Sequence, residues 1–223
     1  MASDQKKPVM TQNQIDDLYL ILHKFEKAAR AAGLPYWMAA GTALGAVRHG
    51  GLIPWDDDGD LYVLEPQFRA ASMTLFHVAA QHGLYIAPHE FGEGLKSDNW
   101  FKVYLGAKKF PNVDIFLLGW KQQDQCWKLS DPSAATWWPK ELLTNQEIQT
   151  SRYVPFGPLK LPLFGTPEAY LTRTYGADWK VIAWDGWDHV NEKGRPPRAN
   201  ERAIQDYRPA LPSATTTALL SAT

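Results

Sequence analysis

The stretch that decides the fold is Pro54-Trp55-Asp56-Asp57-Asp58-Gly59-Asp60-Leu61-Tyr62-Val63. It places four carboxylates within five positions and then turns apolar. Like charges at this spacing repel one another, so they are unusual at the start of a strand. In an extended chain Asp58 and Asp60 lie on one face, while Leu61 and Val63 lie on the other and can enter a core. The stretch therefore predicts a half-buried strand that begins with paired carboxylates.

A divalent cation would remove the repulsion between Asp58 and Asp60. Two carboxylates at this spacing offer hard oxygen ligands to one ion or a pair, and Mg²⁺ or Mn²⁺ prefers such ligands. The alternative is an acidic loop that simply stays solvated. Asp114 favours the metal site, because it lies in an apolar run at 112–118, where a lone carboxylate is costly unless it is paired or metal-bound. If this strand lies beside the first, Asp114 becomes a third ligand; otherwise it pairs with a nearby Lys or Arg.

A glycine turn leads into a short predicted helix just upstream of the acidic strand. Backbone amides at the start of a helix attract phosphate, and Gly41 allows the backbone to approach it closely. Arg48, at the end of the same segment, can contact phosphate oxygens at two points. A glycine turn before a helix is common in proteins and is weak evidence alone. Its position directly before the acidic strand makes the evidence for phosphate binding stronger. We therefore predict a phosphate-binding segment at 41–48.

Lys102 is a further candidate, on a predicted strand at 100–105. It shares one face of that strand with Trp100 and Tyr104, opposite the apolar residues 101, 103 and 105. From that face its ammonium group can point towards the metal site and neutralise a phosphate. The alternative is a solvated lysine on an edge strand.

The remaining pattern predicts an α+β fold. Helices are expected at 12–32, 43–48, 66–82 and 167–175, and strands at 36–40, 58–64, 100–105 and 113–118. This order favours a mixed β-sheet flanked by helices, followed by an irregular, Trp-rich part beyond Trp120. We expect one catalytic domain over 1–186 and a C-terminal extension over 187–223, with the last dozen residues disordered.

Composition excludes several classes of protein. The 223 residues carry 23 Lys plus Arg and 24 Asp plus Glu, a net charge of −1, which argues against nonspecific binding to nucleic acid or to an anionic membrane. Cys126 is the only cysteine, so the chain forms no internal disulfide and no thiolate zinc site. No apolar run is long enough to span a membrane, and the polar residues 1–11 argue against a signal peptide. A cytoplasmic location is the resulting expectation.

Residues 41–48 (GTALGAVR) and 51–60 (GLIPWDDDGD) closely resemble the signature of the LicD family. That family includes phosphocholine transferases of bacterial surface polysaccharides, is related to the fukutin-type phosphotransferases, and belongs to the nucleotidyltransferase-fold superfamily. The superfamily pattern is a strand, Gly-Ser or Gly-Thr, a helix, Asp-x-Asp on the next strand and a later acid. The matching residues are Gly41, Thr42, Asp58, Asp60 and Asp114. Gly59 departs from the family, which usually has Ile or Val there.

The resemblance implies a metal-dependent phosphotransferase. It would move a phospho-alcohol from a CDP-activated donor, such as CDP-choline or CDP-ribitol, to a hydroxyl of a glycan or related acceptor. Mg²⁺ or Mn²⁺ would be held by Asp58 and Asp60, and Asp114 would complete a second site and help to deprotonate the hydroxyl. The donor phosphates would be seated by Gly41, Thr42 and Arg48. Two alternatives stay open: a nucleotidyltransferase that moves NMP from an NTP, and a catalytically silent module that binds a glycan or a partner.

Overall fold

The computed structural model describes residues 10–92, 94–188 and 193–222. Seven helices lie in these ranges: α1 (Gln12–Ala31), α2 (Ala40–Arg48), α3 (Glu65–Gln81), α4 (Pro132–Trp137), α5 (Asn145–Gln149), α6 (Pro167–Tyr175) and α7 (Ala214–Ser221). The strands there are β1 (Trp37–Met38), β2 (Gly59–Leu64), β3 (Leu84–Glu90), β4 (Lys96–Leu105), β5 (Asn112–Lys121), β6 (Cys126–Leu129), β7 (Leu142–Leu143), β8 (Arg152–Phe156), β9 (Leu159–Leu163), β10 (Ile182–Asp188) and β11 (Lys193–Ala203). Residues 1–9, part of the segment that argues against a signal peptide, lie outside the described ranges. Across those ranges, every helix is too short or too polar to cross a membrane.

Seven strands form one mixed sheet, in which β1, β2, β5, β4 and β3 lie side by side in that order. β5 pairs in parallel with β2 and antiparallel with β4, and β6 and β7 extend the sheet from β5. Residues 112–118 of β5 are all buried, as their nearly unbroken apolar sequence predicts for a strand covered on both faces. The predicted mixed sheet with flanking helices is therefore confirmed.

Helix α1 begins and ends where its sequence predicts. Thr11 and Gln14 form the expected capping box, and Gly33 takes the left-handed conformation (φ +63°) just beyond the helix. The apolar positions at helical spacing are all buried, namely Ile15, Leu18, Leu22, Phe25 and Ala29. Both α1 and α3 pack against the central strands, so they supply the helical layer of the core.

Several boundaries differ from the sequence prediction. The strand expected at 36–40 is only Trp37–Met38, because α2 starts at Ala40, three residues earlier than predicted. Gly41 and Thr42 consequently lie inside the first turn of α2. Strand β3 was not predicted; its mixed polar and apolar residues do not alternate clearly, and pairing with β4 stabilises it instead.

The part beyond Trp120 is more regular than predicted. It contains β6, β7, the short helices α4 and α5, and the β8–β9 hairpin. These elements are brief, with two to six residues each, so hydrophobic periodicity is too short to reveal them. Local capping signals do mark two of them, since Asp131 caps α4 and Thr144 forms a capping box with Glu147 in α5.

The expectation of disorder in the last dozen residues is wrong for 214–221, which form α7. Its composition of small and hydroxyl residues shows no periodicity, and the signal that orders it lies near the other end of the chain. The Asp16 carboxylate in α1 accepts hydrogen bonds from the Ser213 backbone N–H (2.7 Å), the Ser213 hydroxyl (2.6 Å) and the Thr216 hydroxyl (3.0 Å). Leu220 is only 7% exposed and joins the core. The proposed domain boundary at 186 stays a prediction.

Candidate active site

The parallel pairing of β2 with β5 brings three carboxylates together. In this register Asp60 lies directly opposite Asp114, and Asp58 immediately precedes β2. One carboxylate oxygen from each of Asp58, Asp60 and Asp114 lies within 4.8 Å of the other two. The two acids at the start of β2 and the lone acid of β5 therefore meet at one point of the sheet.

The three carboxylates destabilise one another's charges. Burial raises the pKa of Asp58 well above its usual value, and the negative charges of Asp60 and Asp56 raise it further. Burial likewise raises the pKa of Asp60, with Asp56 and Asp114 adding to the effect. A cation placed among them would offset both causes. The electrostatics thus suit a site for a positively charged group.

Asp114 already has two partners in the sheet. The Trp100 indole N–H donates to Oδ1 (3.0 Å), and Lys102 Nζ lies 3.2 Å from Oδ1 and 3.3 Å from Oδ2. Asp114 therefore pairs with a lysine, as one of the two alternatives predicted. It also belongs to the carboxylate cluster, as the other alternative predicted. Lys102 is not on an edge, because β4 lies between β3 and β5. Trp100 was noted in the sequence only for its face, and nothing there indicated its hydrogen bond.

Gly41 and Thr42 lie beside the cluster, where they hold Asp60. The Gly41 N–H donates to Asp60 Oδ2 (3.1 Å), and the Thr42 hydroxyl accepts from the Asp60 N–H (2.8 Å). A Cβ at position 41 would lie 2.5 Å from Asp56 Oδ2 and 3.4 Å from Asp60 Oδ2, so any larger residue there would displace the Asp56 carboxylate. The sequence predicted a close approach to phosphate, whereas here the neighbours are carboxylates.

Arg48 lies at the far end of α2. Its guanidinium donates to the Trp179 carbonyl (2.9 Å) and to His49 Nδ1 (3.3 Å), and lies 5.9 Å from the centre of the Trp55 ring. Burial lowers the pKa of Arg48 to about 10, although the charge of Asp56 acts in the opposite direction. Among the described residues, it makes no direct contact with the three carboxylates. The structure therefore places it next to the acidic loop but outside the cluster.

A second acidic group, Asp56, Asp57 and Asp58, forms the loop before β2. Its carboxylate oxygens also lie within 4.8 Å of one another, and all three residues are partly exposed. Partly exposed carboxylates of this kind can remain solvated without an ion. The cluster that includes buried Asp114 is therefore the better candidate centre.

Sequence reasoning missed a buried network that supports the start of α2. The Glu141 carboxylate accepts hydrogen bonds from the hydroxyls of Tyr62 and Tyr170, and the Tyr170 hydroxyl accepts from the Ala40 N–H (3.1 Å). Ala40 has a positive φ of 37°, a conformation that needs support from its surroundings. The sequence predicts the helix that carries Tyr170, but not the hydrogen bonds of its hydroxyl. No pattern in the sequence singles out Glu141.

Comparison with known proteins identifies a family. The sequence profile of LicD/FKTN/FKRP, nucleotidyltransferase domain, matches residues 33–163. This range contains Asp58, Asp60 and Asp114 together with the glycine turn and Lys102. It ends at the last residue of the β8–β9 hairpin, so α6 and α7 lie outside it.

Two curated proteins whose names contain FKTN and LicD are similar to this chain. The chain is 25% identical over 186 residues to ribitol-5-phosphate transferase FKTN of Mus musculus, an alignment that covers 82% of this chain and 37% of that protein. It is 32% identical over 77 residues to lipopolysaccharide cholinephosphotransferase LicD of Haemophilus influenzae, covering 34% of this chain and 29% of that one. The alignments thus span only 37% and 29% of the length of these two curated relatives.

Solved structures give a weaker similarity. The lincosamide antibiotic adenylyltransferase LnuA, in its lincomycin-bound form, aligns with a TM-score of 0.40 and 15% identity, over 73% of this chain and 84% of that one. A score of this size carries no argument about the site, so the assignment depends on the sequence profile and on the geometry of the carboxylates.

Proposed function

Because the chain belongs to the LicD/FKTN/FKRP family of nucleotidyltransferase domains, we propose that it is a metal-dependent phosphotransferase. It moves a phospho-alcohol group, such as phosphocholine or ribitol phosphate, from a CDP-activated donor to a hydroxyl of a glycan or related acceptor. The relatives named as a ribitol-5-phosphate transferase and a lipopolysaccharide cholinephosphotransferase support the type of transferred group. The observation that carries the proposal is the register of β2 and β5, which brings Asp58, Asp60 and Asp114 together.

The donor set suits a hard divalent cation. Carboxylate oxygens are the ligands that Mg²⁺ and Mn²⁺ prefer, and the raised pKa values of Asp58 and Asp60 reflect burial followed by repulsion from neighbouring carboxylates, both of which a bound cation would offset. We assign Asp58, Asp60 and Asp114 as ligands of Mg²⁺ or Mn²⁺. When bound, such an ion neutralises the charge on the phosphate oxygens of the donor.

The protein's own residues then position the reactants. The Gly41 N–H and the Thr42 hydroxyl fix the backbone and carboxylate of Asp60, so they act on the donor through that side chain. Arg48, which lies near the Trp55 ring, and Lys102, which lies beside Asp114, supply positive charge and are assigned to the donor phosphates. The attacking hydroxyl forms a bond to the phosphorus of the phospho-alcohol, its proton passes to Asp114, and the bond to CMP breaks. Catalysis of this kind depends mainly on positioning and charge neutralisation.

The proposal is tested by product analysis. The purified chain is incubated with CDP-choline or CDP-ribitol, a glycan acceptor and Mn²⁺, and CMP release and the mass of the acceptor are measured. We expect CMP and an acceptor heavier by one phospho-alcohol, both lost with EDTA and in Asp60→Asn. Pyrophosphate release from CTP or ATP would instead favour nucleotidyl transfer. Nucleotide binding without turnover of any donor would favour the silent module. A cytoplasmic location stays a prediction from the sequence.

A further inference from the structure

We propose that the ammonium group of Lys102 takes the place of a second divalent cation, so that the carboxylate cluster binds a single metal ion. This inference depends on the proposed metal site and concerns how many ions that site holds. Enzymes that use two ions place them about 3.5–4 Å apart between shared carboxylates. Here a side chain of the protein occupies part of that space.

The sheet fixes the ammonium against Asp114. Lys102 on β4 and Asp114 on β5 are directly opposite each other in the antiparallel register, so their side chains leave the sheet on the same face. Lys102 Nζ lies 3.2 Å from Oδ1 and 3.3 Å from Oδ2 of Asp114. The Trp100 indole N–H also donates to Oδ1 (3.0 Å), so both oxygens of Asp114 face proton donors.

The pair is enclosed, so the charge of Lys102 is poorly screened. The side chains of Lys102 and Asp114 are 18% and 5% exposed. A lysine ammonium is ordinarily charged at neutral pH, and here it is held directly against the Asp114 carboxylate with little contact with water. A divalent ion placed beside it would therefore meet strong repulsion.

Asp58 and Asp60, with Asp114 as the third ligand, can hold one ion. Asp60 is oriented by the Gly41 N–H, and within the described chain Asp58 accepts no hydrogen bond, so its oxygens are available to a metal. Lysine has three N–H donors. Those not directed at Asp114 can still reach a donor phosphate, which keeps the role predicted for Lys102 from its sequence position.

The experiment counts ions and requires no catalysis. Mn²⁺ alone is titrated into the purified, metal-free chain, and free Mn²⁺ is measured by electron paramagnetic resonance at room temperature. Four proteins are compared: wild type, Lys102→Met, Lys102→Arg and Lys108→Met. The last is a matched control, because Lys108 pairs with Asp17 (2.6 Å) in another part of the protein. Circular dichroism establishes that each variant is folded.

We expect one Mn²⁺ per chain in wild type, Lys102→Arg and Lys108→Met, and two in Lys102→Met, whose site has lost its built-in cation. Two ions in the wild type would overturn the inference while leaving the proposed function intact, and this outcome needs no variant. One ion in folded Lys102→Met would also overturn the inference. No binding to the wild type would instead remove the metal site itself, and with it the proposed function.

Discussion

Asp58 shows most directly how a single charge affects this fold. It is partly buried among other acids, and its pKa is raised first by burial and then by its neighbours. In the metal-free protein the ionised form is therefore destabilising, whereas the proposed reaction requires it. Function and stability make opposite demands on this residue.

Asp58→Asn separates the two demands. Asparagine keeps the shape of the side chain and removes its charge, so we expect the metal-free melting temperature to rise by about 2–4 °C, the shift for roughly 1 kcal/mol in a chain of this size. Phosphotransfer should fall at least about 100-fold. The control is Asp98→Asn, at an exposed position on β4, which should change neither quantity. An active Asp58→Asn variant would exclude Asp58 from the metal site.

His49 gives the fold a dependence on pH. It is 7% exposed, its Nδ1 accepts from Arg48, and burial followed by the charge of Arg48 lowers its pKa to about 4. The unfolded value is about 6.5, so the unfolded state binds more protons between these limits and stability falls as the pH drops below 6.5. We expect His49 to cost the wild type about 1–2 kcal/mol between pH 7.5 and pH 5.

Urea unfolding at the two pH values measures this effect, with His49→Gln as the comparison. Glutamine retains an acceptor for Arg48 but does not titrate. The pKa of His89 is also lowered to about 4, by burial and then by Lys102, so only the difference between wild type and variant reports on His49. Equal losses of stability in both proteins would show that His49 is not responsible.

At the scale of secondary structure, α2 connects the fold to the site through two glycines. A Cβ at Gly41 would meet the end of a side chain, Asp56 Oδ2, whereas a Cβ at Gly45 would lie 2.5 Å from the backbone carbonyl of Gly51. A side chain can move aside, but a backbone carbonyl held within a packed loop cannot do so cheaply. Two substitutions of the same size, on the same helix, should therefore have different effects.

We expect Gly41→Ala to lower phosphotransfer at least tenfold while changing the unfolding free energy by less than about 1 kcal/mol, since alanine also favours the helix. Gly45→Ala should lose about 1–3 kcal/mol of stability from overpacking. Both are measured by denaturant unfolding and by initial rates. If Gly41→Ala keeps full activity, the close approach of α2 to the carboxylates is not needed for function.

The network behind α2 permits a second test at this scale. Tyr170→Phe removes the acceptor of the Ala40 N–H and one of the two tyrosine donors to buried Glu141. Leaving buried polar groups without partners costs about 1–3 kcal/mol, so unfolding should be easier by that amount. Tyr85→Phe, at a 60% exposed position on β3, is the control. No difference between the two variants would mean that the network contributes little.

At the scale of the whole molecule, the sequence predicts what depends on short-range pattern and misses what depends on distant contacts. Alternation in β2 and the lone acid of β5 predict that Asp58, Asp60 and Asp114 meet if the two strands are neighbours, and the structure pairs these strands. Glu141 cannot be found in this way, because its partners Tyr62 and Tyr170 lie 79 and 29 residues away. The same limitation applies to α7, whose anchor in α1 is about 200 residues distant.

Asp16 is therefore expected to control the order of the C-terminal helix. Its carboxylate accepts from Ser213 and Thr216, and alanine at position 16 leaves these donors without their acceptor. We expect Asp16→Ala to speed amide hydrogen exchange throughout 213–222 while exchange in β5 stays slow. Asp17→Ala, one position along the same helix, should leave 213–222 protected. Unchanged exchange in Asp16→Ala would show that burial of Leu220 alone holds α7.

The contact between α1 and α7 also determines how the protein would respond to mechanical force. If the two ends of the chain are pulled apart, the load reaches the Asp16–Ser213 contact before it reaches the hydrogen bonds of the central sheet. The last helix should then peel away in an early, low-force event. The pairing of β2 with β5, and with it the cluster of carboxylates, would yield only in a later event, because β5 is bonded to strands on both sides.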